Sequence, residues 1–310
     1  MEIRERGANK VAKGIADGPG FVPAPITAPD GTPKCLFDAH AHINEESFTE
    51  EDRRALAAEI EASPVRFVMD AGASLDTSRQ SILDAAAYPW AYAVVGVHPH
   101  DSRELNEENF GEIRRMAAEP KVCGIGEIGL DFHYDRSERD VQRYWFRRQI
   151  QLANELSMPI VIHTREADQE TMDILKEEGA FSRERKAKFQ KRPGPEGFVD
   201  DARVLIHCYS GSLEMARQYV QLGATISICG PVTFKNNRRT AEVAKEIPIE
   251  FLTVETDSPY LAPEPKRGRP NMSPYVQYVA RRVAVLKGMD YEDVARITCE
   301  NAMRFYGISE

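Results

Sequence analysis

Eight short apolar runs, each followed by a longer segment with helical spacing, constrain this chain more than any other feature. The runs are Lys34–Ala39, Val65–Asp70, Ala91–Val97, Val122–Gly126, Pro159–Ile162, Arg203–Ile206, Ala224–Cys229 and Glu250–Val254. Helical periodicity follows them: Thr49 stands three residues before Asp52, close to a capping box, with Leu56 and Ile60 at i and i+4. Later helices are expected at Ser78–Ala87, Glu107–Ala118, Ser137–Glu155, Ala167–Glu178, Ser212–Leu222, Arg239–Ile247, Pro274–Leu286 and Tyr291–Tyr306. Strands that are apolar on both sides belong in a parallel sheet covered by helices. The expected fold class is α/β, a closed parallel (β/α)8 TIM barrel. A doubly wound open sheet is the alternative, but eight units in about 275 residues suit the barrel better.

The ends of these runs carry the chemistry. His40 and His42 lie in LFDAHAH, Glu127 in VCGIGEIGLDF, His163 in PIVIHTRE, His207 in VLIHCYSG and Asp257 in FLTVETDSP. The chain has only 7 histidines, so four at strand ends is a pattern rather than scatter. Imidazole nitrogens and carboxylate oxygens together are the donor set of a hydrolytic divalent-metal site. Residues i and i+2 of a strand share a face, so His40 and His42 point together, with Asp38 in phase. A carboxylate at Glu127 entering a barrel interior needs a partner, and bridging two cations supplies it. Glycines before it let the backbone run close to its neighbours. Asp131 is placed to orient a ligand histidine from behind. Asp257 precedes Ser258-Pro259, where the chain must leave the sheet.

Other residues admit two readings. His98 and His100 flank Pro99 after the third run, and they serve either a turn or hydrogen bonds to substrate and ligands. His133, in DFHYD, has the same standing. Arg165, two residues past His163, suits bidentate contact with a phosphate; the plain alternative is a surface ion pair. Cys208 and Tyr209 read as packing. No GxSxG elbow and no GxxxxGK[ST] loop occurs, so serine-hydrolase and P-loop chemistry lack support.

Two segments fall outside the repeat. Residues 1–34 are rich in Pro and Gly and read as an N-terminal extension; residues 35–310 form the barrel domain. A basic insertion at about 180–202 interrupts the barrel, and its Arg183–Arg192 stretch carries six basic residues against one acid. It reads either as a solvated loop or as an arm that contacts phosphates. The net charge of -9 argues against a broad nucleic-acid-coating surface. No run is long enough to cross a bilayer and no secretory signal is evident. The 5 cysteines are scattered without a CxxC pair, which points to a reducing cytoplasm. Nothing indicates membrane association or an obligate protein partner.

Six blocks in order, FDAHAHI, VGVHPH, GEIGLDF, VIHTREA, LIHCYSG and ETDSPYL, resemble the TatD-type metal-dependent deoxyribonucleases of the amidohydrolase superfamily, over Phe37 to Tyr306. The segment RGRPNMSPYVQYVA is similar to the family's stretch after the last strand. The resemblance implies two divalent metal ions, Zn, Mg or Mn. His40, His42, Glu127 and Asp257 would hold one, and Glu127, His163 and His207 the other. It implies a DNA substrate contacted by Arg165; His98 and His133 are further substrate-binding candidates from the residues alone. The expected reaction is hydrolysis of phosphodiester bonds by a metal-bound hydroxide, with Asp257 orienting the nucleophile and accepting its proton, and Glu127 as the second catalytic carboxylate. The alternative is an amidohydrolase-type enzyme acting on a small amide, lactone or phosphotriester. A non-catalytic barrel is disfavoured because all six ligands are present.

Overall fold

The structure is a computed structural model, and it describes Thr27 and residues 34–309; the extension over residues 1–34 therefore lies almost wholly outside the described residues. Its centre is an eight-stranded parallel sheet made of β1 (Leu36–Ala41), β2 (Val65–Ala71), β3 (Ala91–Val95), β4 (Val122–Asp131), β5 (Ile160–Arg165), β8 (Val204–Ile206), β9 (Thr225–Ile228) and β10 (Leu252–Val254), adjacent in that order. A separate antiparallel hairpin, β6 (Arg192–Gly194) with β7 (Gly197–Val199), belongs to the insertion.

The two ends of the sheet order meet and round the sheet into a nearly closed barrel. Past β10 the Thr256 amide donates to Asp38 Oδ1 at 2.8 Å and the Thr256 hydroxyl to Asp38 Oδ2 at 2.6 Å. One step further, the Asp257 amide donates to His40 O at 3.0 Å and the His42 amide to Ser258 O at 2.7 Å. A buried carboxylate thus takes the place of ladder bonds at the seam, and its neighbours complete the pairing. This places Asp257 directly beside His40 and His42.

Helices α1 (Glu50–Glu61), α2 (Leu75–Ala87), α3 (Glu107–Met116), α4 (Arg139–Leu156), α5 (Asp168–Glu177), α7 (Leu213–Gln221), α8 (Arg238–Glu246) and α9 (Val276–Lys287) lie between or after the strands, and α10 (Tyr291–Tyr306) ends the chain. The expected capping box at α1 is formed: the Thr49 side chain accepts from the Asp52 amide and the Asp52 side chain from the Thr49 amide. Strand side chains such as Phe37, Val68, Ile125, Ile162 and Ile226 are fully buried, as a sheet covered by helices requires. Tyr306 fixes α10 against β1 through a hydrogen bond to Ala39 O at 2.8 Å.

The insertion begins with a four-residue helix, α6 (Arg183–Lys186). Buried Arg185 donates to Ala202 O and Met158 O, each at 2.8 Å. Arg192 has 0 % exposure and bonds Thr225 Oγ1 at 2.9 Å, Ala224 O at 3.2 Å and Glu250 O. Those partners stand at or just before the starts of β5, β8, β9 and β10. The insertion is therefore fastened to the N-terminal end of the barrel, opposite the strand ends that carry the histidines. Two of its six basic side chains, Arg185 and Arg192, are spent on backbone carbonyls of the barrel.

Candidate metal centre and cleft

β1 presents His40 and His42 on one face, as strand alternation predicts, with ring centroids 5.0 Å apart. The His42 Nδ1 lies 2.9 Å from Ala71 O. A carbonyl only accepts, so Nδ1 carries a proton there, and Nε2 is the nitrogen turned toward the carboxylates. That Nε2 lies 3.6 Å from Glu127 Oε2 and 3.4 Å from Asp257 Oδ1. His40 Nε2 lies 3.4 Å from the same Glu127 oxygen and 3.9 Å from the same Asp257 oxygen.

β4 brings in Glu127, and glycines make room for it. Gly126 has φ +158°, and a Cβ there would lie 2.6 Å from Val161 Cβ; Gly129 has φ +152°, and its Cβ would fall 1.8 Å from His163 O. Only glycine permits that approach of β4 to β5. The second oxygen of Glu127, Oε1, lies 2.8 Å from His163 Nδ1 and 2.8 Å from His207 Nε2. The two carboxylate oxygens therefore face different nitrogen groups: Oε2 meets His40 and His42, and Oε1 meets His163 and His207.

The outer nitrogens of the second group are held from behind. His163 Nε2 lies 3.3 Å from Asp131 Oδ2, which also takes His100 Nε2 at 2.8 Å. His207 Nδ1 lies 3.3 Å from Glu255 Oε1, which accepts the Cys208 amide at 2.6 Å. Asp131 stands where the sequence placed it. The role of Glu255 was not foreseen, although its i,i+2 spacing to Asp257 puts it in phase on the same segment. His100 takes the hydrogen-bonding role rather than a turn role alone.

Burial opposes charge on Glu127, but the charge of His207 and the hydrogen bonds from His163 and His207 more than offset it and hold the carboxyl well below the usual range. Asp257 is likewise lowered: burial raises it, and the bond from His42 with the charges of His207 and His42 outweighs burial. Burial and the like charge of His207 push His40 down, so its ring is neutral. Both His40 nitrogens are buried without a hydrogen-bond partner. An imidazole whose buried nitrogens find no hydrogen-bond partner, set against two ionised carboxylates, is the donor set that a divalent metal fits.

His98 plays a different part. Its Nδ1 accepts the His100 amide at 3.1 Å, which puts the proton on Nε2, 3.6 Å from Glu127 Oε1. It is a donor aimed into the site. His133 pairs with Glu166, Nδ1 to Oε1 at 2.7 Å, and is not among the residues lining the central cavity. Arg165 does line it, with its guanidinium 4.6 Å from the Tyr134 ring centroid.

The cavity above the cluster has a volume of about 1040 Å³. Arg136 and Arg165 line it after β4 and β5, and Glu45, Glu46, Asp76, Asp101 and Glu104 line it after β1–β3 together with Arg79, which pairs with Asp76. None of its lining residues comes from the insertion. No helix of the described residues is long and apolar enough to cross a membrane.

Comparison with known proteins agrees with this architecture. Residues 37–307 match the family of TatD related DNases. The metal-dependent hydrolase YabD of Bacillus subtilis, itself uncharacterized, is 39% identical over 88% of this chain and 100% of its own length. A protein of Citrobacter rodentium named 3'-5' ssDNA/RNA exonuclease TatD is 30% identical over 88% of this chain and 98% of its own. The crystal structure of the TatD homologue YJJV from Escherichia coli superposes with a TM-score of 0.77 at 22% identity, covering 89% of this chain and 99% of that one. The chain belongs to the TatD family of metal-dependent hydrolases.

Proposed function

We propose that this hydrolase cleaves phosphodiester bonds in DNA, working at the ends of single strands through a dinuclear centre. One observation carries the reading: Glu127 offers Oε2 to His40 and His42 and Oε1 to His163 and His207. A carboxylate with a separate nitrogen set at each oxygen could serve two cations at once. His40, His42 and Asp257 would hold one with it, and His163 and His207 the other. Bound there, the cations would supply Lewis-acid polarisation of the phosphoryl oxygen and lower the pKa of water.

The protein's own groups do the rest. Asp257, ionised and turned into the mouth, orients the attacking water and accepts its proton. His98 offers its Nε2–H, and Arg165 its guanidinium, to phosphate oxygens. Asp131 and Glu255 hold the rings of His163 and His207 in place.

The divided charge of the cavity favours the end of a strand. A polyanion laid across the whole mouth would meet Glu45, Glu46, Asp101 and Glu104, with Asp76 already paired to Arg79, whereas a chain that enters past Arg136 and Arg165 and stops at the centre leaves only a terminal nucleoside on the more acidic side. The names of the exonuclease relatives fit the same direction. The cavity also lies at the top of the range for small-molecule sites, which weighs against a small amide or lactone. The five cysteines, scattered without a CxxC pair, suit a reducing cytoplasm.

The test is digestion of a 5′-labelled single-stranded oligonucleotide by metal-loaded protein, with a lactone and an amide panel beside it. A ladder shortening from the 3′ end is expected, abolished in Asp257→Asn and His207→Ala variants that still fold. Hydrolysis of the small substrates without any DNA cleavage would overturn the reading.

A further inference from the structure

Two aromatic side chains stand open at the cavity and are unexplained by the metal chemistry. Tyr134 is 52% exposed and Tyr260 53% exposed, and both line the cavity. They flank the cluster from opposite sides. The Tyr260 ring lies 6.0 Å from the ring of His42, in the first nitrogen group. The Tyr134 ring lies 5.4 Å from the ring of His100, which shares Asp131 with His163 of the second group.

Neither ring is loose. The Tyr260 hydroxyl donates to Glu45 Oε2 at 2.7 Å, and its amide donates to Asp257 O at 2.9 Å. Tyr134 has the Arg165 guanidinium over it at 4.6 Å and the edge of His133 at 4.8 Å. Exposing a large flat ring that is already immobilised loses hydrophobic burial and gains a platform whose ordering cost on binding is small. Every nucleobase has a face that stacks on such a ring, whatever its sequence.

We propose that Tyr260 and Tyr134 stack the two bases on either side of the scissile phosphate, making them the residues that select a single-stranded end. Resting on the nuclease reading, this deepens it. With the phosphate at the cluster, the terminal base falls on the acidic side against Tyr260, and the next base on the basic side against Tyr134. A paired base cannot open its face to either ring, so a duplex end must fray first. The acidic wall around Tyr260 accommodates a terminal nucleoside, which carries no further phosphate.

The experiment compares one single-stranded oligonucleotide with two copies lacking a base, at the terminal or the penultimate position. These are assayed with the parent and with Tyr260→Ala, Tyr134→Ala, Tyr260→Phe and Tyr134→Phe, all metal-loaded. The parent is expected to show a KM about tenfold higher when either base is missing, with kcat changed little. Tyr260→Ala raises KM on the complete strand by a similar factor and ignores loss of the terminal base; Tyr134→Ala ignores loss of the penultimate one. The phenylalanine variants, which keep the ring, restore both KM and the base preference. Alanine variants with parental KM and an undiminished penalty for missing bases overturn the stacking roles while leaving the nuclease reading intact. Failure of the parent to cleave any of the strands overturns both.

Discussion

Glu255 stands behind His207, its Oε1 3.3 Å from the histidine Nδ1, while the Nε2 of the same ring faces Glu127 at 2.8 Å. Asp131 stands behind His163 in the same way. Each histidine of this pair is thus held between an inner carboxylate and an outer one, which fixes both ring orientation and basicity. Changing Glu255 to Gln keeps an oxygen for both the Cys208 amide and His207 Nδ1 but removes the negative charge behind the ring. We expect metal affinity to fall about 10–100-fold with the fold retained. Chelator competition followed by circular dichroism checks this, and unchanged affinity would mean that Glu255 is only packing.

The metal-free protein should respond to pH through His42. Burial opposes its charge, but the hydrogen bond to Asp257 and the charge of Glu127 outweigh burial and raise it from 6.5 to about 9. A raised folded pKa contributes stability that is complete below about 6.5 and is lost as pH climbs through about 9. The metal-free Tm should therefore fall across that window. A cation must displace the same proton, so metal affinity should rise across it. Titration calorimetry in buffers of different ionisation enthalpy would register the released proton.

Asp38 closes the barrel with two bonds to Thr256 from a fully buried position. Asp38→Ala strands a buried amide and hydroxyl on Thr256. A loss of about 2–4 kcal/mol in unfolding free energy is expected by urea denaturation. Because the same seam sets Asp257 beside His40, metal affinity should fall with it.

Charge changes should separate the two ends of the barrel. Neutralising Lys186, Lys188 and Lys191 of the insertion should leave KM for single-stranded DNA and its salt dependence unchanged. Arg165→Ala should raise KM about 10–100-fold and flatten the salt slope by about 0.7. The reverse outcome would return the insertion to the substrate path.

Much of this was legible because the barrel is written in local runs. Each sheet strand lies within a few residues of its apolar stretch, since burial on both faces demands Val, Ile and Leu there. β4 was read too short: it continues to Asp131 through GEIGLD, where glycines that permit close approach to β5 look like loop signals. The hairpin of the insertion was missed for a different reason. Its sequence, RPG and GFV, has little strand character, and Arg192 holds it by partners 32, 33 and 58 residues away. The seam joins Asp38 to a residue 218 positions on, which no local pattern reports. The strand-end ligand candidates were visible as residues, but the tautomer of His98 and the turn of His133 toward Glu166 depend on neighbours that only the fold supplies.

Metal stoichiometry decides whether Glu127 serves two cations, as proposed. Elemental analysis of protein saturated with Zn or Mn and freed of excess should give two ions per chain, falling to one or fewer in Glu127→Gln, together with loss of single-strand cleavage. A parent that saturates at one ion, or a Glu127→Gln variant that still holds two, would contradict the account.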